Sequence, residues 1–173
     1  MTLKKALGWA SLVALSALLT APASAQPPAR GKAEMKAGSG AITVDYGRPS
    51  LKGRDMLSQL QEGTFWRMGM NRATVLTTPV DLSFGKIRVA KGAYSLFLKK
   101  TGDAFELVLN SQTGQWGTQH DPAKDVHSIV MTKTALPTPV ETFTLELVPV
   151  AKGGSLDLSW GAMKLAAPFE IPK

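Results

Sequence analysis

The residues best suited to do chemistry cluster on one connection. Between Gly47 and Arg72 lie Arg48, Lys52, Arg54, Arg67 and Arg72, opposed only by Asp55 and Glu62. Arginine presents a planar fork of donors that grips a carboxylate or phosphate in bidentate fashion. Gly47, Gly53, Gly63 and Gly69 accompany these arginines and would let a backbone approach closely. Two readings follow. The arginines line a pocket for an anion, or they tie a long loop to the rest of the molecule through carbonyls and carboxylates. Ion pairs of the second kind also gather charge in this way.

Two tryptophans could stack on a flat ligand such as a sugar ring, Trp66 and Trp116. Burial is the commoner fate of tryptophan, because the ring brings a large apolar area. Trp116 sits among polar residues, so it is the better stacking candidate, whereas Trp160 falls in the apolar phase of its segment and belongs to the core. His120, Asp121, Asp125 and His127 lie close together in sequence. Two imidazoles and a carboxylate can hold a catalytic metal, but this spacing fits no zinc motif and Asp121-Pro122 reads as a turn. No metal and no cofactor are expected. No Gly-x-Ser-x-Gly elbow supports a serine hydrolase. Asp45, Asp81, Glu106, Glu146 and Asp157 all fall in the polar phase of alternating runs, which predicts a solvated sheet face rather than an acid–base pair.

The elements that must position these residues are strands. Ile42, Val44 and Tyr46 alternate with polar neighbours, as do Val80, Leu82 and Phe84. Ile87 and Val89, then Tyr94, Leu96 and Leu98, then Phe105, Leu107 and Leu109 repeat the rule. So do Phe143, Leu145 and Leu147, Leu156, Leu158 and Trp160, and finally Leu165, Ala167, Phe169 and Ile171. A period of two gives one buried and one wet face. Lys91-Gly92, Thr101-Gly102-Asp103, Lys152-Gly153-Gly154 and Gly161 supply turns. The expected fold is all-β, an antiparallel β-sandwich with a jelly roll as one form of it. Pro137, Pro139, Pro149 and Pro168 should then sit at strand ends or edges. Two segments break the alternation. Gly47 to Arg72 reads as a long irregular loop, with one or two helical turns over Asp55 to Gln61 that turn Met56, Leu57 and Leu60 inward. Asn110 to Pro122 is polar. Long irregular connections in compact domains are often functional.

The beginning of the chain predicts its compartment. Lys4 and Lys5 precede an uncharged, largely apolar run from Ala6 to Leu19, and Ala23-Ser24-Ala25 follows. This is the pattern of a secretory signal peptide, and the run is shorter than the ~20 residues that span a bilayer. Cleavage after Ala25 leaves 148 residues. Of these, 26–39 read as a flexible terminus rich in Pro, Gly, Ala and Lys, and 40–173 as a single domain. No further apolar run is long enough to cross a membrane. The chain has no cysteine, so disulfides, thiol nucleophiles and thiolate zinc sites are excluded. The expected location is periplasmic or secreted. The chain holds 20 basic and 13 acidic residues; without Lys4 and Lys5 the balance is 18 to 13, or +5. That charge favours anionic ligands or solubility. It is not gathered into the basic stripe that nucleic acid requires.

Two blocks carry a resemblance. Tyr46-Gly47-Arg48-Pro49-Ser50-Leu51-Lys52-Gly53-Arg54 is similar to a tyrosine–x–arginine–proline opening followed by lysine–glycine–arginine. Trp66-Arg67-Met68-Gly69-Met70-Asn71-Arg72-Ala73-Thr74 resembles the tryptophan–arginine–x–glycine–x–asparagine–x–alanine–threonine signature of domain-of-unknown-function family 2911. Lys91-Gly92-Ala93-Tyr94-Ser95-Leu96 and Gln115-Trp116-Gly117 fit it as well. Arg72 departs from the pattern, which has an acidic residue there. The resemblance implies an exported bacterial domain and brings no catalytic residues. The ligand-binding candidates are thus Arg48, Arg54, Arg67, Asn71, Trp116 and His120. Three classes of function are open: a non-catalytic binding domain for a small anionic or sugar-like ligand, a structural or protein-interaction module of the envelope, and a hydrolase or metal-dependent enzyme.

Overall fold

A computed structural model describes residues 30–172. The signal peptide expected over 1–25 lies outside the described residues. Ten strands follow in order: β1 (Arg30–Ala37), β2 (Gly40–Gly47), β3 (Phe65–Trp66), β4 (Thr74–Thr78), β5 (Leu82–Phe84), β6 (Ile87–Val89), β7 (Gly92–Thr101), β8 (Ala104–Asn110), β9 (Asp125–Val150) and β10 (Gly153–Glu170). Every pairing is antiparallel, along the path β1-β2-β4-β7-β8-β9-β10-β5-β6, with β3 beside β7. The expected all-β, antiparallel class is therefore what the chain adopts. Among the described residues no helix is long and apolar enough to cross a membrane.

The alternating runs form the interior. Ile42, Val44, Leu96, Leu98, Leu107, Leu109, Phe143, Leu145, Leu156 and Leu158 belong to one apolar cluster. Burying a side chain of this size contributes about 1.5–3 kcal/mol. Aromatic rings join distant parts of the chain within it. Phe143 of β9 meets Tyr46 of β2 edge-on with centroids 5.7 Å apart, and Trp66 of β3 stacks on Trp160 of β10 at 5.1 Å. The Trp160 indole N–H donates to the Glu141 carbonyl at 3.2 Å, which satisfies its one polar group.

β9 holds the sheet path together. Its first part pairs with β8, from Asp125 to Met131, and its later part pairs with β10. Pro137 and Pro139 lie in β9 rather than at a strand end. They fall where the register with β10 shifts, between the pairs Met163–Ala135 and Gly161–Val140. Residues that cannot donate cost little where the ladder is already interrupted.

β10 folds back on itself. The Ile171 N–H donates to the Lys152 carbonyl at 2.9 Å, and a Cβ on Gly153 would lie 2.2 Å from the Phe169 carbonyl oxygen. The reversal is at Gly161, whose φ of 62° suits glycine. This corrects the expectation of a solvated Asp157. Its residue is only 4% exposed, with Lys164 Nζ 2.6 Å from Oδ2 and the Ser155 hydroxyl on Oδ1. The alternation placed Asp157 away from the main core, but the returning arm of β10 covers that side too.

Two further expectations are corrected. Residues 26–39 were expected to be irregular, yet Arg30–Ala37 is β1. Ala33, Met35 and Ala37 are buried while Lys32, Glu34 and Lys36 are exposed. The alternation is present but carried mostly by alanine, whose small side chain gives a weak apolar signal. The short helix over Asp55 to Gln61 does not form. Turns replace it, with Asp55 accepting from the Ser58 N–H at 3.2 Å and the Leu60 N–H reaching the Leu57 carbonyl at 3.3 Å. A single turn fixes many dihedrals for one hydrogen bond, so it does not propagate without more length. Its inward faces were read correctly: Leu57 is buried, and Met56 and Leu60 pack against the core. Among the described residues the one helical segment is the 3-10 turn Pro122–Lys124.

Candidate functional site

The site forms where a strand edge is interrupted. β3 and β4 both pair with β7, Trp66 opposite Leu98 and Thr74 opposite Leu96. Between them Arg67 to Ala73 leaves the ladder and makes a compact knot. Met68 and Asn71 take left-handed backbone, at φ 45° and 63°. Such a conformation costs of order 1–3 kcal/mol for a residue with a side chain, and asparagine bears it better than most. What offsets it is burial and hydrogen bonding. Met68 is fully buried, and the Thr74 hydroxyl donates to its carbonyl at 2.6 Å. Gly69 lies against Gly47, where a Cβ would stand 2.8 Å from the Gly47 carbonyl oxygen. The Trp-Arg-x-Gly-x-Asn-x-Ala-Thr block is thus a folded unit, with each motif residue in contact or in a strained turn.

The polar segment after β8 docks onto this knot. The Gly117 N–H donates to the Asn71 carbonyl at 2.8 Å, and the Ala73 N–H to the Gln115 carbonyl at 3.1 Å. A Cβ on Gly117 would meet Arg67 Cδ at 2.8 Å, so the arginine stem lies across a glycine. Asn110, fully buried at the end of β8, secures the segment from below. Its amide donates to the Asp121 carbonyl and to Asp125 Oδ1, both at 2.8 Å. Asp125 in turn holds His120 Nε2 with Oδ1 at 2.9 Å and Oδ2 at 3.1 Å. The imidazole ring packs between Phe65 and Phe97, with centroids 4.2 and 4.5 Å away.

Knot and segment enclose a hollow of about 350 Å³ lined by Met56, Phe65, Trp66, Arg67, Phe97, Gly117, Thr118 and His120. Arg67 Nε is held by the Gly69 carbonyl at 3.2 Å. Its terminal nitrogens make no hydrogen bond to the described residues. The same is true of His120 Nδ1. The hollow therefore combines a guanidinium fork, an oriented imidazole, one hydroxyl and four apolar walls. Two larger hollows flank the Ala151-Lys152 turn, with Lys152 and Glu170 the only charged side chains lining them, and a third, of about 390 Å³, lies between β1 and β9 with Lys32 and Arg48 set among Glu34 and Glu146. The Arg67–His120 hollow differs from these in joining aromatic walls to an arginine and a histidine.

The sequence candidates divide accordingly. Arg67 and His120 share the hollow. Asn71 lies in the knot and contributes its carbonyl to the docking of Gly117. Trp116 is 50% exposed and does not line the hollow, although its backbone bridges to Arg72. Arg48 lines a separate polar groove with Lys32, Glu34 and Glu146, between β1 and β9. Arg54 is exposed on its turn, its Nε donating to the Leu51 carbonyl at 3.2 Å. The arginines therefore do not converge on one ligand. Among the described residues no three side chains of metal-binding type gather. His127 lies opposite Leu109 in the ladder.

Phe65, Phe97, Thr118 and the Asn110–Asp125–His120 chain had no assigned role. A signal for Phe97 was present. Leu96-Phe97-Leu98 and Leu107-Val108-Leu109 are continuous apolar runs inside alternating strands, and such runs mark a sheet covered on both faces.

A family model described as a protein of unknown function, DUF2911, matches residues 28–169. The chain belongs to this family. The match includes the knot, its docking segment and both arms of β10. Comparison with curated proteins and with solved structures found no match.

Proposed function

We propose that this member of the DUF2911 family is an exported, non-catalytic domain that binds a small anionic ligand at the Arg67–His120 hollow. One observation carries the reading: a guanidinium with unengaged terminal nitrogens shares an apolar-walled hollow with an imidazole fixed by Asp125. Apolar lining with a few converging polar groups is the usual make-up of a small-molecule site. The finer architecture proposed is a sandwich. Its support is the meeting of β2 and β3 rings with those of β9 and β10 across one core. Export rests on the pattern of Lys4, Lys5, the apolar run and Ala23-Ser24-Ala25, and places the mature protein in the periplasm or outside the cell. Intact mass of the protein recovered from cells should correspond to a start at Gln26.

The test of binding is a thermal-shift screen of small anions, sugars and metal ions. A ligand that binds only the native state raises stability by about 2.7 kcal/mol at a hundred times its Kd. Anions should raise Tm, and Arg67→Lys should markedly reduce the shift. A screen in which no anion moves Tm would sink the reading. A hydrolase is the second reading, favoured by the Asp125–His120 pair, which has the form of an oriented general base. Turnover of a simple ester, lost in His120→Gln, would put it first.

A further inference from the structure

The composition of the Arg67–His120 hollow narrows the ligand, on the basis of the anion-site reading above. Its one permanently charged side chain is Arg67. Lys99 sits over the Phe65 ring, 5.7 Å from the centroid, and does not line the hollow. One guanidinium fork matches one carboxylate. A phosphate monoester carries nearly two negative charges, which a single cation among Met56, Phe65, Trp66 and Phe97 leaves unbalanced in poorly solvated surroundings. A sugar presents many hydroxyls, yet the polar side chains here are Arg67, Thr118 and His120 alone.

We infer that the hollow takes a small monocarboxylate with a flat apolar body, and takes it together with one proton on His120. Asp125 occupies Nε2 with both oxygens, so that nitrogen keeps its hydrogen in either charge state. The proton therefore enters and leaves at Nδ1. The charged groups around the ring are Asp125 of β9 on Nε2, Arg67 across the hollow, and Lys99 beyond Phe65, while the neighbouring Asp121 is turned to the Ala123 N–H. A carboxylate seated on Arg67 offsets the guanidinium charge and brings a negative charge into the hollow that His120 lines. Ligand and proton then bind with positive coupling, and the coupling is reciprocal.

The test is titration calorimetry of the mature protein with benzoate across the range in which imidazole titrates, about pH 5 to 8. Two buffers of different ionisation enthalpy count the protons. Benzoate should bind with uptake of one proton at the upper end, and its Kd should rise toward about tenfold per pH unit there. His120→Gln should flatten the pH dependence. Arg67→Lys, which keeps the charge but loses the fork, should weaken binding about tenfold or more. Phenyl phosphate and glucose should bind at least about tenfold more weakly than benzoate. A benzoate Kd that does not change with pH, or tighter binding of phenyl phosphate, overturns the inference and leaves the anion site standing, whereas tighter binding of glucose overturns both. Absence of binding by benzoate and phenyl phosphate alike overturns both. If His120→Gln does not fold, the wild-type pH series and proton count still decide.

Discussion

Asp125 grips the Nε2 of His120 with both carboxylate oxygens, at 2.9 and 3.1 Å, while the buried amide of Asn110 holds Oδ1 from behind at 2.8 Å. This chain fixes an imidazole that would otherwise be one side chain on a polar loop. It also ties the end of β8 to the start of β9. Asn110 donates to the Asp121 carbonyl and accepts from the Gln112 N–H at 3.0 Å, so one amide serves three partners. Asn110→Ala should therefore cost about 1–3 kcal/mol for the partners it leaves unsatisfied. Urea unfolding measures it. In the same variant the His120 ring should lose its fixed position, seen as averaged ring-proton shifts by NMR. An unchanged midpoint with His120 shifts intact would show that the chain is dispensable.

The knot makes a second, sharper demand on glycine. A Cβ on Gly47 would stand 2.2 Å from the Met70 carbonyl oxygen, and one on Gly69 would stand 2.8 Å from that of Gly47. Both neighbours are backbone and cannot step aside. Gly47→Ala should destabilise by roughly 3 kcal/mol or more, among the larger values for single substitutions. Gly53→Ala is the control, since its Cβ would meet nothing within 4 Å and only its φ of 75° is unfavourable. It should cost about 1–2 kcal/mol. Equal losses at the two positions would contradict the close approach of the backbones.

How far the sequence could lead depended on the range of the interaction. Alternation is local, so β2, β5 to β8, the later part of β9, β10, the apolar core and the inward turn of Leu57 were legible, whereas β3, β4 and the part of β9 from Asp125 to Val140 were not read as strands. Arg67 and His120 were legible as types, because arginine near glycine and a histidine in a polar loop stand out. Their meeting was not. It depends on the Gly117 N–H reaching the Asn71 carbonyl and on Asp125 reaching back to His120, and neither contact has a periodic signature. Asp157 failed for a related reason: its alternation was correct, but the fold-back at Gly161 covered the face expected to be wet. β1 was hidden because Ala33 and Ala37 are weak markers of an apolar face.

A titration prediction concerns Glu106, on β8 opposite Val130. The Ser128 hydroxyl donates to its carboxylate and, with help from Thr101 and Lys99, holds its pKa below the ordinary glutamate value despite some desolvation. A depressed folded pKa means stability that is present above the unfolded value and lost as pH falls through the folded one. The group is only partly buried, so solvent screening keeps that contribution small. Ser128→Ala should move the Glu106 titration upward, toward the ordinary value, in a side-chain NMR titration. No movement would assign the shift to Thr101 and Lys99 instead.

The two candidate stacking tryptophans should behave as opposites. Trp66 lies 5.1 Å from Trp160 in a stack and 5.1 Å from Phe143 edge-on, so its ring is part of the core as well as a wall of the hollow. Trp116 is half exposed, and its contacts with the knot are made by its backbone. Trp66→Ala removes ring contacts on two sides and should cost about 3 kcal/mol, the lower end for a tryptophan because one face borders the hollow. Trp116→Ala leaves the Arg72 bridge and the Gln119 hydrogen bonds to the backbone in place, and should change stability by no more than about 0.5 kcal/mol. Thermal unfolding of the two variants separates these outcomes. Acrylamide quenching adds a second readout: the quenchable part of the fluorescence should fall in Trp116→Ala and persist in Trp66→Phe. Benzoate affinity, measured on the same proteins, should survive loss of Trp116, because that ring borders no part of the hollow. A large loss of benzoate affinity on removing Trp116 would place the ligand on the outer face of the segment and away from Arg67.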